Sequence, residues 1–314
     1  MDDPREVAEA AAWAALLAIQ RHSWEQGVAS HAALDLGRVE LVAFMAEDAT
    51  LRQDTDGRLG EIDGAGLVNC GALVEVVHAE WASGSSPVLR TALDRQLAWF
   101  TERCPRAEDG TLYHLTGSEQ MWTDSVYMLV PALFRLGEPA AALRQLEGHR
   151  RRLLGSTGLY AARWDEPSGR LVAPQHWGTG NGWVAAGLAR AWREESAAPY
   201  RSVLGTHATE VIDACLDHRR RDGLFHDVLD DPSSFVEANV GQMLAYAVLT
   251  GVADGWLPDR YAAVGRSLRA TCGILDGRGF VTPVAGSPGF DRPGRSAEAQ
   301  AFYLMAAAAE RRLE

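Results

Sequence analysis

Two kinds of helical segment alternate along the sequence, and this alternation limits the folds that the chain can adopt. In one kind, apolar residues recur every three or four positions and the opposite face carries Arg, Asp and Glu, which is typical of a helix with one side in water. In the other kind nearly every position is apolar or small, which is typical of a helix buried on all sides. The water-facing segments are residues 4–20, 40–53, 88–103, 138–153, 199–218 and 258–273.

The buried segments recur at a nearly constant spacing of roughly 45 to 60 residues, and each follows one water-facing segment. They begin near residues 23, 68, 123, 180, 236 and 296. Six such pairs suit a closed ring of helical hairpins, because a ring gives every inner helix protein neighbours on both flanks and on its outer side. We therefore predict an all-α fold, an (α/α)6 barrel, built as a single domain over residues 1–314.

Glycine-containing turns precede the later buried segments. These turns are "DGRLGE" at 56, "DGTLYH" at 109, "STGLYA" at 156, "DGLFHD" at 222 and "DGRGFV" at 276. Each places a turn before aromatic or aliphatic residues, which predicts short strands or β-hairpins at one mouth of the barrel. The starts of the inner helices would then converge at that mouth.

Aromatic and polar side chains cluster at the starts of the buried segments. This mixture suits a carbohydrate, because the apolar face of a sugar ring stacks on an aromatic ring while its hydroxyls bond to amides and carboxylates. A structural role is the alternative for each residue, since rings and carboxylates also begin helices as staples and caps. The candidates are Trp24, Glu25, Gln26, Asp63, Asn69, Trp122, Asp124, His176, Trp177, Asn181, Trp183, His226, Asp227 and Glu237.

Composition excludes several classes of partner. The net charge of -12 disfavours nucleic acid and anionic membrane surfaces, both of which attract basic patches. The four cysteines are far apart and lack the spacing of metal ligands, so we expect buried thiols and neither a metal nor a cofactor. No apolar run is long enough for a membrane helix, and the acidic start differs from a secretory signal, so we expect a cytoplasmic protein.

Four motifs in order resemble those of glycoside hydrolase families 88 and 105, the unsaturated glucuronyl and rhamnogalacturonyl hydrolases. They are "SWEQG", "MWTDSVYM", "HWGTGNGW" and "FVEANVGQMLAYAV", and the resemblance runs from about residue 4 to 312. It implies a six-hairpin barrel that degrades oligosaccharides bearing a 4,5-unsaturated uronic acid at the non-reducing end. In these families an Asp protonates C4, water adds at C5, and the product opens to release the next sugar. By its position in "MWTDSVYM", Asp124 would be this general acid and base.

The resemblance also implies roles for other residues. A second catalytic position lies near the start of the second inner helix, where either Asp63 or Asn69 in "EIDGAGLVNCGALV" occupies it. His176 and Trp177 match positions that contact the sugar. Trp24 and Gln26 would line the base of the pocket.

One position departs from the family pattern. Many members have an Arg that binds the uronate carboxylate where this chain has Thr179. A guanidinium bound to a carboxylate through two hydrogen bonds is about twice as strong as a neutral hydrogen bond, so its loss weakens uronate recognition. Either Arg163 or Arg21 replaces it, or the substrate differs; Thr179 itself remains a candidate substrate-binding position.

Three other functions remain open at this point. A conventional glycosidase on the same barrel would pair Asp124 with Glu25 or Glu237. A sugar epimerase would need two histidines across the cavity, such as His176 and His226. A non-catalytic carbohydrate-binding protein would keep the aromatic cleft alone. The sequence predicts an oligosaccharide as the partner but specifies neither the sugar and its linkage nor the oligomeric state.

Overall fold

The computed structural model describes residues 3–314, which contain twelve α-helices in six hairpins. The outer helices are α1 (Pro4–Ile19), α3 (Val39–Leu51), α5 (Pro87–Ala98), α7 (Pro139–Leu153), α9 (Arg201–Leu216) and α11 (Tyr261–Cys272). The inner helices are α2 (Ser23–Asp35), α4 (Val74–Gly84), α6 (Ser125–Arg135), α8 (Gly178–Trp192), α10 (Asn239–Ala253) and α12 (Ala297–Arg311). A 3-10 turn (Asn69–Leu73) leads into α4, another (Glu195–Tyr200) precedes α9, and a π-helical turn (Trp99–Arg103) extends α5.

The six inner helices form a closed ring. Each contacts the next in the order α2, α4, α6, α8, α10 and α12, with the turn Asn69–Leu73 carrying much of the contact of α4, and α12 packs back against α2. The inner helices α8 and α10 are buried over nearly their whole length, whereas the outer helices bury one face. The (α/α)6 barrel predicted from the alternating segments is therefore confirmed.

Glycines let neighbouring inner helices approach closely. A Cβ added to Gly71, ahead of α4, would lie 2.0 Å from the carbonyl oxygen of Met128 on α6. A Cβ added to Gly187 on α8 would lie 2.8 Å from Cα of Tyr127 on α6. Both distances are shorter than any real contact of a methyl group, so the spacing of the ring around α6 depends on residues without side chains.

The predicted hairpins lie at the mouth and are short. Strands β1 (Gln120–Trp122), β2 (Arg163–Asp165) and β3 (Arg170–Ala173) form an antiparallel sheet in that order. Strands β4 (Phe225–His226) and β5 (Val236–Glu237) form a second pair. The turns at 109, 156 and 276 are closed by single bridges, and the turn at 56 contains no strand in the part of the chain that the structure describes.

The turns also join successive hairpins around the ring. Gly279, before α12, has a φ of +84°, and a Cβ there would lie 2.7 Å from the carbonyl oxygen of Ala11 on α1. The last hairpin is therefore seated on the first outer helix. The same left-handed glycine recurs in the other turns and contacts α5, α7, α9 and α11, at Gly57, Gly110, Gly158 and Gly223 respectively.

A buried ion-pair network closes the end of the barrel opposite the mouth. Arg190, near the C-terminal end of α8, has a side chain that is 1% exposed. Its guanidinium donates to both carboxylate oxygens of Glu75 at 2.7 and 2.8 Å, to Asp35 at 3.0 Å and to the hydroxyl of Tyr246 at 3.0 Å. Burial alone would raise the pKa of Glu75, but Arg190 holds this pKa well below its usual range.

Two further expectations concern the described residues. All four cysteines are buried free thiols, as predicted. Within residues 3–314, no helix is both long and apolar enough to cross a membrane.

We expect Arg190→Met to destabilise the protein by about 3 to 5 kcal/mol, because it removes the buried cation that Glu75 and Asp35 share and leaves them the longer contacts with Arg135 at 3.6 Å and Arg193 at 3.3 Å. The free energy of unfolding in urea measures this loss. Arg90→Met is the matched control, since Arg90 forms an exposed pair with Asp94 and should contribute less than about 1 kcal/mol. Equal losses in the two variants would contradict the role assigned to Arg190.

Candidate active site

A cavity of about 540 Å³ opens at the mouth, where the N-terminal ends of the inner helices converge. We call it the mouth cavity. Its size falls within the range of small-molecule sites. Besides the helix entrances, its wall includes the strands β1 and β2, the hairpin around residue 227 and the loop that contains residues 288–291. Eight of the candidate site residues line it, namely Trp24, Asp63, Asn69, Trp122, Asp124, Trp177, Trp183 and Asp227.

Asp124 is positioned by the start of α6. It is the N-cap residue of this helix. The preceding Thr123 is tied to Ala162, the residue before β2, because its backbone N–H and its hydroxyl both donate to the Ala162 carbonyl. One Asp124 carboxyl oxygen, Oδ2, lies 3.7 Å from Nε2 of His114. The other, Oδ1, is buried and has no hydrogen-bond partner within residues 3–314. Buried polar atoms without a hydrogen-bond partner are uncommon in folded proteins and often mark functional groups.

Beside Asp124 lies a stack of three flat groups. The rings of His114 and Trp122 are parallel to within 5°, with centroids 4.5 Å apart. The guanidinium carbon of Arg163 lies 3.9 Å from the centroid of the Trp122 ring. Because both neighbours are at stacking distance, they must occupy opposite faces of the indole, and Trp122 offers a ligand its edge rather than its face. Burial lowers the pKa of His114, and its Nδ1 lies 2.9 Å from the hydroxyl of Ser125.

The other tryptophans contribute to separate parts of the wall. Trp24 stacks on His22 at 4.3 Å, and its Nε1 donates to Glu298 at 2.6 Å. Trp177 packs against Phe290, in the loop that contains residues 288–291, with ring centroids 5.4 Å apart. Trp183 is nearly fully buried and makes edge contacts with buried rings of α6 and α12, so it belongs to the floor.

Both candidates for the second catalytic position line the mouth cavity. The Asp63 side chain is 51% exposed, its Oδ1 accepts the backbone N–H of Ala65 at 2.9 Å, and this bond lowers its pKa. Asn69 is buried, and its Oδ1 has no hydrogen-bond partner in the described part of the chain. The geometry therefore leaves the choice between the two open.

Two further carboxyl groups in the wall have displaced pKa values. Burial raises the pKa of Asp227 to about 6 and that of Glu61 to about 7. Each has one buried oxygen without a hydrogen-bond partner among residues 3–314. Asp227 is among the site residues predicted from the sequence, whereas Glu61 and His114 are not. The proximity of Glu61 to Asp63 in "EIDG" was the available signal for Glu61, whereas His114 lies in a turn that the pattern marked as structural.

The remaining candidates do not line the mouth cavity, and three of them bond to backbone groups instead. Glu25 accepts two backbone N–H groups ahead of α2 at 2.7 and 3.0 Å. Glu237 accepts two at the start of α10 at 2.6 and 3.1 Å. Asn181 accepts one backbone N–H at 2.7 Å and donates to two backbone carbonyls. Glu25 and Glu237 thus serve the acceptor needs of helix starts, and Asn181 ties α8 to the turn at Tyr160, so all three side chains are engaged by the protein.

Four other candidates also lie outside the wall. The Gln26 carbonyl accepts a hydrogen bond from Arg52. Thr179 is fully buried on α8. The two histidines have other partners, since His176 lies 2.7 Å from a carboxylate oxygen of Asp230 and His226 contacts Arg220 at 2.6 Å. The geometry therefore brings neither the histidine pair of an epimerase nor Glu25 or Glu237 into the cavity beside Asp124.

The comparisons with known proteins agree with the four sequence motifs. The sequence model of Glycosyl Hydrolase Family 88 matches residues 10–303. The unsaturated rhamnogalacturonyl hydrolase YesR of Bacillus subtilis (strain 168) is 27% identical over 218 residues, which are 65% of this chain and 62% of that relative. The match thus spans less than two thirds of the length of this curated relative.

Solved structures share the fold at low sequence identity. A possible member of family GH105 from Klebsiella pneumoniae subsp. pneumoniae MGH 78578 has a TM-score of 0.80 and 21% identity, covering 92% of this chain and 82% of the other. The unsaturated glucuronyl hydrolase from Bacillus sp. GL1, responsible for the degradation of glycosaminoglycan, has a TM-score of 0.70 and 17% identity, covering 90% and 85%. At these identities the likeness establishes the fold alone.

We expect Asp227→Asn to stabilise the protein at pH 8 and to leave its stability unchanged at pH 4. An acid whose pKa is raised by folding binds its proton more tightly in the folded state, so its contribution to stability is lost as the pH rises from about 4 through 6. The gain at pH 8 should be roughly 1 kcal/mol, since the carboxyl is partly solvated. Thermal unfolding at both pH values measures it.

Asp222→Asn on the same hairpin is the control with the opposite sign. Hydrogen bonds from Arg220 lower the pKa of Asp222, so this variant should lose stability at pH 8. A loss of stability in Asp227→Asn at pH 8 would contradict the raised pKa of the Asp227 carboxyl.

Proposed function

Because the chain belongs to glycosyl hydrolase family 88, we propose that it is a glycoside hydrolase that removes a 4,5-unsaturated uronyl residue from the non-reducing end of an oligosaccharide. The observation that carries this proposal is the Asp124 carboxyl, which lines the mouth cavity and has one oxygen without a hydrogen-bond partner within residues 3–314. We also infer that residues 1–314 act as one catalytic domain.

In this reaction Asp124 acts first as an acid and then as a base. The C4=C5 electron pair takes the proton of the Asp124 carboxyl at C4, and the positive charge is shared between C5 and the ring oxygen. Water then bonds to C5 and returns a proton to the Asp124 carboxylate. The resulting hemiketal breaks its bond between C5 and the ring oxygen, and the hemiacetal left at C1 expels the next sugar.

The groups around Asp124 suit these steps. His114 lies 3.7 Å from the Asp124 carboxyl, and its lowered pKa keeps the imidazole uncharged, so it can orient the carboxyl without holding it ionised. Asn69 or Asp63 would act as the second polar group. Trp177 and Phe290 form an apolar part of the wall, which would limit access of bulk water.

We expect the wild-type protein to abolish the ultraviolet absorbance of the double bond in at least one unsaturated disaccharide, in a screen of lyase-digested pectin, glycosaminoglycan and ulvan. Asp124→Asn should lower the rate by about 10²-fold to 10⁴-fold, because general acid and base catalysis is lost. Asp217→Asn, on the exposed C-terminal end of α9, is the matched control and should keep the wild-type rate. In D2O the product should carry deuterium at C4.

Three results would argue against this function, each in a different way. Equal rates for the wild type and Asp124→Asn would remove Asp124 as the acid. Cleavage with the absorbance retained and without deuterium at C4 would favour a conventional glycosidase. Binding of the disaccharides without turnover would favour a carbohydrate-binding protein.

A further inference from the structure

We propose that Arg163 binds the carboxylate of the unsaturated uronyl residue and so selects an acidic sugar, in the position where Thr179 supplies no charge. This inference rests on the proposed function, because it names the residue that recognises the substrate of that reaction. The sequence leaves three possibilities open for this position: Arg163, Arg21, or a substrate other than a uronate. The inference assigns carboxylate binding to Arg163, on β2.

The charges of the mouth cavity make a cation necessary for an anionic ligand. Arg163 is the only Arg in the wall, among the residues that the structure describes. The wall also carries five carboxyl groups, on Glu61, Asp63, Asp124, Asp227 and Asp291. A uronate that entered without a cationic partner would meet repulsion from several of these groups in a partly desolvated space.

Arg163 is held in place and has free donors. It pairs directly with Trp122 across the strands β1 and β2, and its guanidinium carbon lies 3.9 Å from the centroid of the Trp122 ring. The side chain is exposed, and within residues 3–314 it has neither a carboxylate at salt-bridge distance nor a hydrogen bond to its guanidinium nitrogens. A stacked guanidinium presents its N–H groups at its edge, where they can bind a carboxylate through two parallel hydrogen bonds.

The position of Arg163 relative to Asp124 fits the substrate. The uronate carboxylate is attached to C5, next to the carbon that Asp124 would protonate, so its binding group must lie close to the acid. Asp124 and Arg163 both line the mouth cavity, with Trp122 between them: Arg163 stacks on one face of the indole and His114, which lies 3.7 Å from Asp124, stacks on the other. A substrate that passes the edge of Trp122 can therefore meet the acid on one side and the cation on the other.

The other positions considered for this role are unavailable. Thr179 is fully buried and lies outside the wall. Arg21 donates to the backbone carbonyls of Gln20 and Ala18 at the end of α1, at 2.7 and 2.8 Å, and does not line the mouth cavity.

The test compares an acid with its neutral ester. The ligands are an unsaturated digalacturonate and the same disaccharide methylated on the carboxyl of its unsaturated residue. Dissociation constants are measured by calorimetry in an Asp124→Asn background, which separates binding from turnover, and kcat/KM is measured with Asp124 present. We expect Arg163→Gln to weaken the acid about 10-fold to 100-fold and to leave the ester nearly unchanged. The affinity of Arg163→Lys for the acid should lie between those of the wild type and Arg163→Gln, since Lys keeps the charge but lacks the planar guanidinium that binds a carboxylate through two hydrogen bonds.

Arg170→Gln is the matched control, because the substitution removes the same charge from the same sheet. Arg170 is exposed on β3 and lies outside the wall of the mouth cavity. This variant should keep the preference for the acid, and melting temperatures check that all variants fold. Retention of the acid preference in Arg163→Gln would overturn the inference while leaving the proposed function intact. A wild-type protein that binds the acid no more tightly than the ester would overturn it as well. Absence of turnover in a protein whose acid preference depends on Arg163 would instead reject the proposed function alone.

Discussion

The guanidinium of Arg190 is the interaction on which the barrel's geometry depends. It reaches four other inner helices, since it bonds to Asp35 on α2, Glu75 on α4 and Tyr246 on α10, and lies 3.6 Å from the sulfur of Met305 on α12. A buried cation is tolerated only when its donors are paired, so these helices are held at fixed distances from α8. The network fills one end of the ring and leaves the other end for a ligand.

The mouth differs from this closed end in how its polar atoms are used. Around Arg190 the carboxylates have protein partners, whereas oxygens of Asp124, Asp227 and Glu61 have none within residues 3–314. The first arrangement stabilises the fold, and the second leaves hydrogen-bonding capacity for something that enters. The N-terminal ends of the inner helices also point to the mouth, where their partial positive charge favours an anionic or polar ligand.

The fold was predictable from the sequence to within a few residues, because burial on all sides leaves a continuous local pattern, as in α8 and α10. The 3-10 turn Asn69–Leu73 was not predictable, since the same apolar pattern suits a 3-10 helix and an α-helix. The site was predictable only in part. Glu25 and Asn181 resemble ligand-binding residues by type, yet Glu25 caps α2 and Asn181 ties α8 to the backbone of Tyr160. Only the long-range contacts of His114 and Arg163 reveal their neighbours.

The seating of each glycine turn on the following outer helix has a consequence for unfolding. In an open solenoid the terminal repeats have one neighbour and fray first. Here the turn at Gly279 rests on α1, so the array has no terminal repeat and each hairpin is supported from both sides. Slow amide exchange should therefore be distributed evenly around the circle instead of decaying toward the two chain ends, and opening any single hairpin would loosen two others.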